Sequence, residues 1–430
     1  MIDLEVIAEK VLANTCSVDF PGRKHYCGDY EGHMYRVVVD EDSIKLYKEL
    51  FDDPVWLLEL FQVGMVSTRL LGQTVSGSLV LEHKKFAFQS MFHEWTWTQK
   101  KDLASMIIRI QKKLSEKDLF LSDPHVFNVA FDDSVPVYFD FGSITRGPYP
   151  IKEWIRNFWL GQNWMESWMA RLNITYTELQ DFLEHPEHAT LENQLRNIER
   201  LTSEIKMLEW SQYDKQTFNV NDPTTWQEKH NAVKNLMELL PELPKKALDV
   251  GSNTGDFCHI LLSQGVEKVC GFDIDEAAVE ILYKMAKEGK LPITAVVGNI
   301  TDLYGWHAVD FGEVTWNSLY QPNLRYASEL VLCVALIHHV CYFREFPMTT
   351  LAEILANYST KYLIIEWIPY DDRHLEGPVN RFGKDRSEYT EEEFVTTFTK
   401  YFPTVVGIQN STDQVRKMYL FSKETKNAIE

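Results

Sequence analysis

Between residues 233 and 421, short apolar runs alternate with helix-like stretches. Val233, Leu236, Met237 and Leu240 fall at i, i+3, i+4 and i+7, one face of a helix that Pro241 and Pro244 stop. The run 247–250 has the length of one buried strand. Gly251 and Gly255 then bracket a tight turn, where backbone can approach a ligand free of Cβ interference. Phe257, Ile260, Leu261 and Leu262 give the next helix a face to pack on that strand. A second strand, 269–272, ends at Asp273, eighteen positions after Gly255. The same alternation predicts a helix over 277–287, then a strand over 291–297 leading into Gly298, Asn299 and Ile300. A very apolar strand over 330–336 runs into His338 and His339, a helix covers 351–358, and a strand over 362–365 ends in Glu366. Thr390-Glu-Glu-Glu393 matches a capping box, opening a helix through Phe394 and Phe398. Two strands, 405–408 and 418–421, close the series with no helix between them. This order predicts an α/β fold: a doubly wound parallel sheet with a terminal antiparallel hairpin. Ligands of such sheets bind past the carboxyl ends of the strands, so Gly251, Asp273, Asn299, His338 and Glu366 are expected on one rim.

The first half patterns more weakly. Residues 34–39 and 79–81 read as strands and 44–60 as a helix. Glycines 22, 28 and 32 make no phosphate loop. Asp123 is followed five positions later by Asn128, then by the apolar run 135–139 and Asp140-Phe-Gly142. Trp154, Phe158, Trp159, Trp164, Trp168 and Met169 recur at three-to-five spacing. Such a stripe reads as core between helices rather than as a sugar-stacking surface. A helix over 190–210 carries Leu191, Leu195, Ile198, Leu201, Ile205 and Leu208 on one face. The polar stretch 211–222 has no helical period and precedes Pro223, which marks a boundary. We expect three parts: 1–210, a linker with its lead-in helix over 211–244, and 245–430.

Composition narrows the picture. At 430 residues, two domains are the default. The 63 acidic against 43 basic side chains give a formal net charge of −20, which argues against a nucleic-acid or anionic-membrane partner. Cys16, Cys27, Cys258, Cys270, Cys333 and Cys341 are scattered and form no close pair, as expected of free thiols in a reducing cytoplasm. There is no signal-peptide pattern and no apolar run of membrane-spanning length, so a cytoplasmic protein is expected.

Two resemblances carry the chemistry. Asp-x4-Asn, a strand and Asp-Phe-Gly resemble the catalytic loop and metal-binding turn of kinase-like folds over about residues 20–210. In such folds the residue matching Asp123 orients the acceptor hydroxyl, while those matching Asn128 and Asp140 hold magnesium. No glycine-rich cradle and no strand lysine accompany them, Lys45 and Lys48 lying in a helix-like context, so the trio reads as a structural turn network. Asp249-Val-Gly-Ser-Asn-Thr-Gly255 resembles the first motif of class I S-adenosylmethionine-dependent methyltransferases, usually Asp/Glu-x-Gly-x-Gly-x-Gly, with Asn253 at the middle glycine. Asp273 matches that family's ribose-binding acid, and Asn299 stands where an aspartate usually sits near the adenine. Cys333-Val-Ala-Leu-Ile-His-His339 and Ile365-Glu366 fit as well. With Ser122-Asp-Pro-His-Val-Phe-Asn128, Phe139-Asp-Phe-Gly-Ser143 and Gly305-Trp306, most of residues 25–425 resembles a bacterial group related to nodulation protein NoeA. That group joins a degenerate kinase-like half to a methyltransferase.

The resemblance implies a Rossmann-like sheet and S-adenosyl-L-methionine as cofactor. Asp249, Gly251, Asn253 and Gly255 would face its methionine part, Asp273 with Ile274 its ribose, and Asn299 and Ile300 its adenine. Methyl transfer from a sulfonium is an in-line displacement, so the protein must place a nucleophile opposite the sulfur. His338 or His339 could deprotonate a hydroxyl acceptor; alternation beyond the strand favours His339. Glu366 is a base, a substrate anchor or a helix cap. Asp371, Asp372 and His374 read as a solvated acidic loop, and no metal is expected. Three readings follow: O-methylation of a hydroxylated small molecule or glycan precursor, a kinase–methyltransferase acting on a sugar or polysaccharide, and a non-catalytic cofactor-binding scaffold.

Overall fold

The computed structural model describes residues 3–14, 25–161, 167–202, 223–301, 322–372, 389–412 and 415–425. The linker expected at 211–222, the Gly305-Trp306 pair, Cys16, Trp164 and His374 lie outside these. The chain divides into two units. One comprises Met1–Phe86, Trp97–Ser203 and Phe311–Thr315; the other comprises Ala87–Thr96, Glu204–Asp310 and Trp316–Glu430. The second unit therefore includes a ten-residue piece drawn from within the sequence of the first.

In the first unit, helix α1 (Leu4–Asn14) accompanies an antiparallel sheet. Its strands are β1 (His25–Tyr30), β2 (His33–Val38), β3 (Thr68–Gln73) and β4 (Leu79–His83), in the order β1-β2-β4-β3. Glu31 and Gly32, both at positive φ, make the two-residue turn between β1 and β2. The single helix expected over 44–60 is two, α2 (Glu41–Phe51) and α3 (Pro54–Gln62). Pro54 has no N–H with which to continue the first ladder, and Asp53 caps the new start by accepting from Trp56 N at 3.2 Å. Helix α4 (Trp97–Ser115) leads to two small antiparallel pairs. Strand β5 (Leu119–Leu121) pairs with β8 (Ile144–Arg146), and β6 (Val129–Asp132) with β7 (Val135–Tyr138). Helices α5 (Ile151–Ile155), α6 (Trp168–Arg171), α7 (Tyr176–Glu184) and α8 (Leu191–Arg200) complete the unit. The tryptophan stripe is core. Trp154, Phe158, Trp159 and Trp168 are all buried, Trp154 stacks on Phe158 at 4.6 Å, and Trp159 Nε1 donates to Gln194 Oε1 at 3.0 Å.

The second unit is built on a seven-stranded sheet. In chain order its elements are α9 (Pro223–Met237), β9 (Lys246–Val250), α10 (Asp256–Ser263), β10 (Lys268–Asp273), α11 (Glu276–Gly289) and β11 (Ile293–Val297). Then come α12 (Pro322–Arg325), β12 (Ser328–Cys333), α13 (Met348–Tyr358), β13 (Ser359–Trp367), α14 (Glu391–Thr399), β14 (Thr404–Asn410) and β15 (Lys417–Ser422). The strand order is β11-β10-β9-β12-β13-β15-β14. The first five are parallel, while β15 runs antiparallel to both β13 and β14. The sheet is an α/β, Rossmann-like one with the closing hairpin expected. Parallel strands buried on both faces show as apolar runs, which is why each was visible in the sequence. On one face Leu248, Phe272, Val331 and Leu363 share a core with Leu355 of α13 and Phe394 of α14. Thr390 caps α14 by accepting from Glu393 N at 3.2 Å. Cys27, Cys258, Cys270, Cys333 and Cys341 are free thiols, all buried except Cys27. Among the described residues, no helix is long and apolar enough to cross a membrane.

Strand β12 ends three residues sooner than the apolar run suggests. Ala335 sits at φ +54°, a left-handed conformation that turns the chain out of the sheet, and residues 338–343 then coil as a wide helical turn. Apolar patterning cannot register such a turn, because no glycine marks it.

Candidate functional site

The turn after β9 is shaped by its glycines. Gly251 has φ +79°, Asn253 +46° and Gly255 +99°. A Cβ on Gly255 would lie 2.4 Å from Leu282 Cδ1 of α11, so this position needs glycine both for its backbone and for packing. Gly251 N and Ser252 N both donate to Phe272 O, at 2.8 and 3.2 Å, which ties the turn to the end of β10.

Asp273, the last residue of β10, holds this corner together. Its Oδ2 accepts from Asn253 N at 2.8 Å and its Oδ1 from Asp275 N at 2.9 Å. Burial raises its carboxyl above the usual range, against the opposing pull of these backbone N–H groups. A carboxylate offers about four acceptor positions, so two donors leave capacity for a diol. Ile274 is half exposed beside it. Asn299 lies two residues beyond β11 and is exposed; its Oδ1 accepts from Thr301 N and Thr301 Oγ1, at 3.1 and 2.8 Å. With Oδ1 so engaged, the amide presents Nδ2 as a donor. Ile300 is buried in the core beside Phe272. Gly251, Asp273 and Asn299 thus follow the carboxyl ends of three adjacent parallel strands.

Asp249 differs from its neighbours. It lies inside β9, is 1% exposed, and accepts from the Cys258 thiol at 3.4 Å. Burial pushes its carboxyl up to about 7, the thiol hydrogen bond opposing. Asp249 therefore links β9 to α10 through Cys258.

His338 and His339 sit on the wide turn beyond β12, their rings 4.0 Å apart and both against Phe343. His338 is buried and His339 half-buried. The strand alternation expected to separate them does not apply, because this stretch is helical. Burial, with Arg344, Arg416 and Lys229 nearby, lowers the His339 imidazole to about 4.

Glu366, expected as a base, a substrate anchor or a helix cap, is found paired inside the fold. It lies within β13 at 0% exposure, salt-bridged to Lys229 Nζ of α9 at 3.0 Å. Its carboxylate also accepts from Ala335 N at 2.9 Å and Ser411 Oγ at 2.7 Å. Burial alone would raise its pKa, but Lys229, Arg416 and Ser411 outweigh that and lower it. A carboxylate held charged by this many donors positions backbone; here it secures the left-handed Ala335. Lys229 stands four residues before Val233, on the apolar face of α9, and that misplaced charge is the signal by which it could have been found. Asp372 is likewise no solvated acid: it is buried and takes a bidentate contact from Arg416, at 2.7 and 2.9 Å. Among the described residues, no group of three or more His, Cys, Asp or Glu side chains is placed to hold a metal ion.

In the first unit, Asn128 Nδ2 donates to Asp123 O and Oδ2, at 2.9 and 3.0 Å, and Tyr138 Oη donates to Asp123 O at 2.6 Å. Asp140 accepts from Gly142 N at 3.1 Å and pairs with Arg36 of β2 at 2.8 Å. Arg36 is buried and also donates to His83 Nε2 at 3.1 Å. Burial, together with Arg36, lowers the His83 imidazole to about 3, so it stays a neutral acceptor. Arg36 was not singled out from the sequence, where a strand lysine was sought instead.

The chain matches no protein-family model. It is similar to nodulation protein NoeA of Rhizobium meliloti (strain 1021), with 27% identity over 187 residues, which is 42% of this chain and 36% of that protein. The chain thus aligns with little more than a third of its relative's length. Among solved structures it is similar to magnesium protoporphyrin IX methyltransferase from Synechocystis PCC 6803 with bound SAH, at 14% identity and TM-score 0.33, covering 58% of this chain and all of that one. It is also similar to the bifunctional kinase-methyltransferase WbdD, at 18% identity and TM-score 0.30, covering 52% of this chain and 44% of that one.

Proposed function

We propose that the second unit is an S-adenosyl-L-methionine-dependent methyltransferase acting on a hydroxyl of a small molecule or glycan precursor. The observation that carries this reading is Asp273, at the end of β10, joined to the positive-φ turn at 251–255 through the Asn253 N–H. The same acid and turn are the positions at which the sequence resembles the family. When bound, the cofactor supplies an electrophilic methyl group on a sulfonium. Asp273 would accept from the ribose hydroxyls, Gly251 would let backbone approach the methionine part, and Asn299 Nδ2 would donate to N1 of the adenine. His339, neutral above about pH 4, offers a lone pair to the acceptor hydroxyl as the displacement proceeds. The turn at 334–343, secured through Ala335 and Glu366, sets where that imidazole stands.

For Asp123, Asn128 and Asp140 we favour a turn network over a phosphoryl-transfer site. Support comes from Arg36, which already neutralises Asp140 where a metal would otherwise bind. Titration with ATP and magnesium at millimolar concentration tests this: measurable binding that Asp140→Asn abolishes would restore the kinase–methyltransferase reading. For the methyltransferase, transfer of label from methyl-labelled cofactor across a panel of hydroxylated acceptors is the test. Tight cofactor binding with no turnover on any of them would favour a non-catalytic scaffold.

A further inference from the structure

Strand β11 is the edge of the sheet. An edge strand carries a row of N–H groups that no neighbouring strand takes up. On its inner side, the end of β11 is held by Gly298 N donating to Asp273 O at 2.8 Å. On the other side, Val297 N donates to Glu94 O at 2.8 Å. Glu94 belongs to Ala87–Thr96, the segment the second unit draws from the middle of the first unit's sequence.

This segment is anchored with unusual thoroughness. The Glu94 carboxylate is buried and accepts from Arg325 Nη2 and Nη1, both at 2.6 Å, from Tyr326 Oη at 2.6 Å, and from Met91 N at 2.7 Å. Arg325 Nη1 also donates to Gln89 O at 2.7 Å. Phe88 lies in the same core as Phe272, Val296 and Ile300. A buried ion pair with this many hydrogen bonds, in which Arg325 Nε alone lacks a partner, specifies geometry more than it adds stability.

We propose that Glu94 is a positioning residue for the adenine end of the cofactor site. Pinned by Arg325 and Tyr326, it fixes the last residue of β11, and so the turn that presents Asn299. A Cβ at the intervening Gly298 would meet Phe272 Cζ at 2.3 Å, so the turn has little room to shift inward. The inference rests on the cofactor reading above and adds to it a determinant of base recognition far upstream in the sequence.

The test uses the full chain and two ligands, S-adenosylhomocysteine and S-inosylhomocysteine. Inosine carries a proton on N1, the nitrogen to which Asn299 Nδ2 would donate in adenine, so the wild-type protein should prefer the adenine compound. In Glu94→Gln, S-adenosylhomocysteine should bind at least about tenfold more weakly, and the preference for adenine over inosine should shrink toward unity. Should Glu94→Gln fail to fold with a guanidinium left buried, Glu94→Gln/Arg325→Met removes the stranded charge and carries the same expectation. A merely structural role would lower thermal stability without moving the base preference. A folded variant with undiminished affinity and preference overturns the inference alone. Absence of S-adenosylhomocysteine binding by the wild-type protein overturns the cofactor reading, and this inference with it.

Discussion

Asp249 and Gly255 show how single positions are committed to the β9–α10 corner. The Asp249 carboxyl titrates at about 7 in the folded protein against 3.8 ordinarily. Between those values the folded chain holds a proton that the unfolded chain has released, so stability falls as pH rises through that window. The thermal midpoint of the ligand-free protein should therefore drop between pH 5 and pH 8 by more in wild type than in Asp249→Asn. Equal slopes would show that the buried acid carries no such linkage. Gly255→Ala meets both Leu282 and an unfavourable φ, and should lower stability by roughly 1–3 kcal/mol in urea denaturation. Shortening the partner in Gly255→Ala/Leu282→Ala should not restore it, because the φ strain remains. For His339, a pKa of about 4 predicts that kcat/KM is flat from pH 5 to 8, where an ordinary imidazole would inflect near 6.5. An inflection in that range that disappears in His339→Asn would show the imidazole to be far less desolvated than the fold implies.

At the scale of elements, the Lys229–Glu366 pair joins α9 to β13 and, through Ala335, to the turn after β12. Lys229→Met strands a buried carboxylate and should cost roughly 3–5 kcal/mol. Lys229→Met/Glu366→Gln keeps an amide oxygen as acceptor for Ala335 N while its NH2 donates to Ser411 Oγ, whose hydroxyl turns to accept, and should recover most of that loss; denaturant midpoints at constant slope read both. An unstable double variant would mean the charge itself, not its pairing, holds the elements together. The elements the sequence made visible are those whose burial is two-sided or whose cap is local: β9 through β13, α11, and α14 behind Thr390. What it hid is long-range. Nothing in the apolar pattern of residues 330–336 tells of Ala335, because a left-handed alanine stabilised by Glu366 looks like strand until its partner is known. Glu366 reads as a site acid and Asp372 as a solvated loop acid for the same reason, since their cations, Lys229 and Arg416, lie far off in the sequence. The break at Pro54, by contrast, was legible from proline chemistry and was hidden only by the continuous apolar period around it.

At the scale of the whole molecule, the two units are not two consecutive stretches of chain. Residues 204–430 on their own would leave Arg325, Tyr326 and the Val297 N–H without Glu94. Such a fragment should melt well below the full chain in calorimetry, and a fragment as stable as the whole would deny the segment its role. The glycine turn and its terminal acid were legible because local spacing defines them, whereas the borrowed segment was not, since its pairing crosses about two hundred residues. The central claim is that Asp273 and the turn at 251–255 form a cofactor site for S-adenosyl-L-methionine. Isothermal titration of the full chain with S-adenosylhomocysteine tests it most directly. Wild type should bind, and Asp273→Ala should bind about a hundredfold more weakly, the loss of two hydrogen bonds to a charged acceptor. Equally weak or absent binding in both proteins would contradict the account.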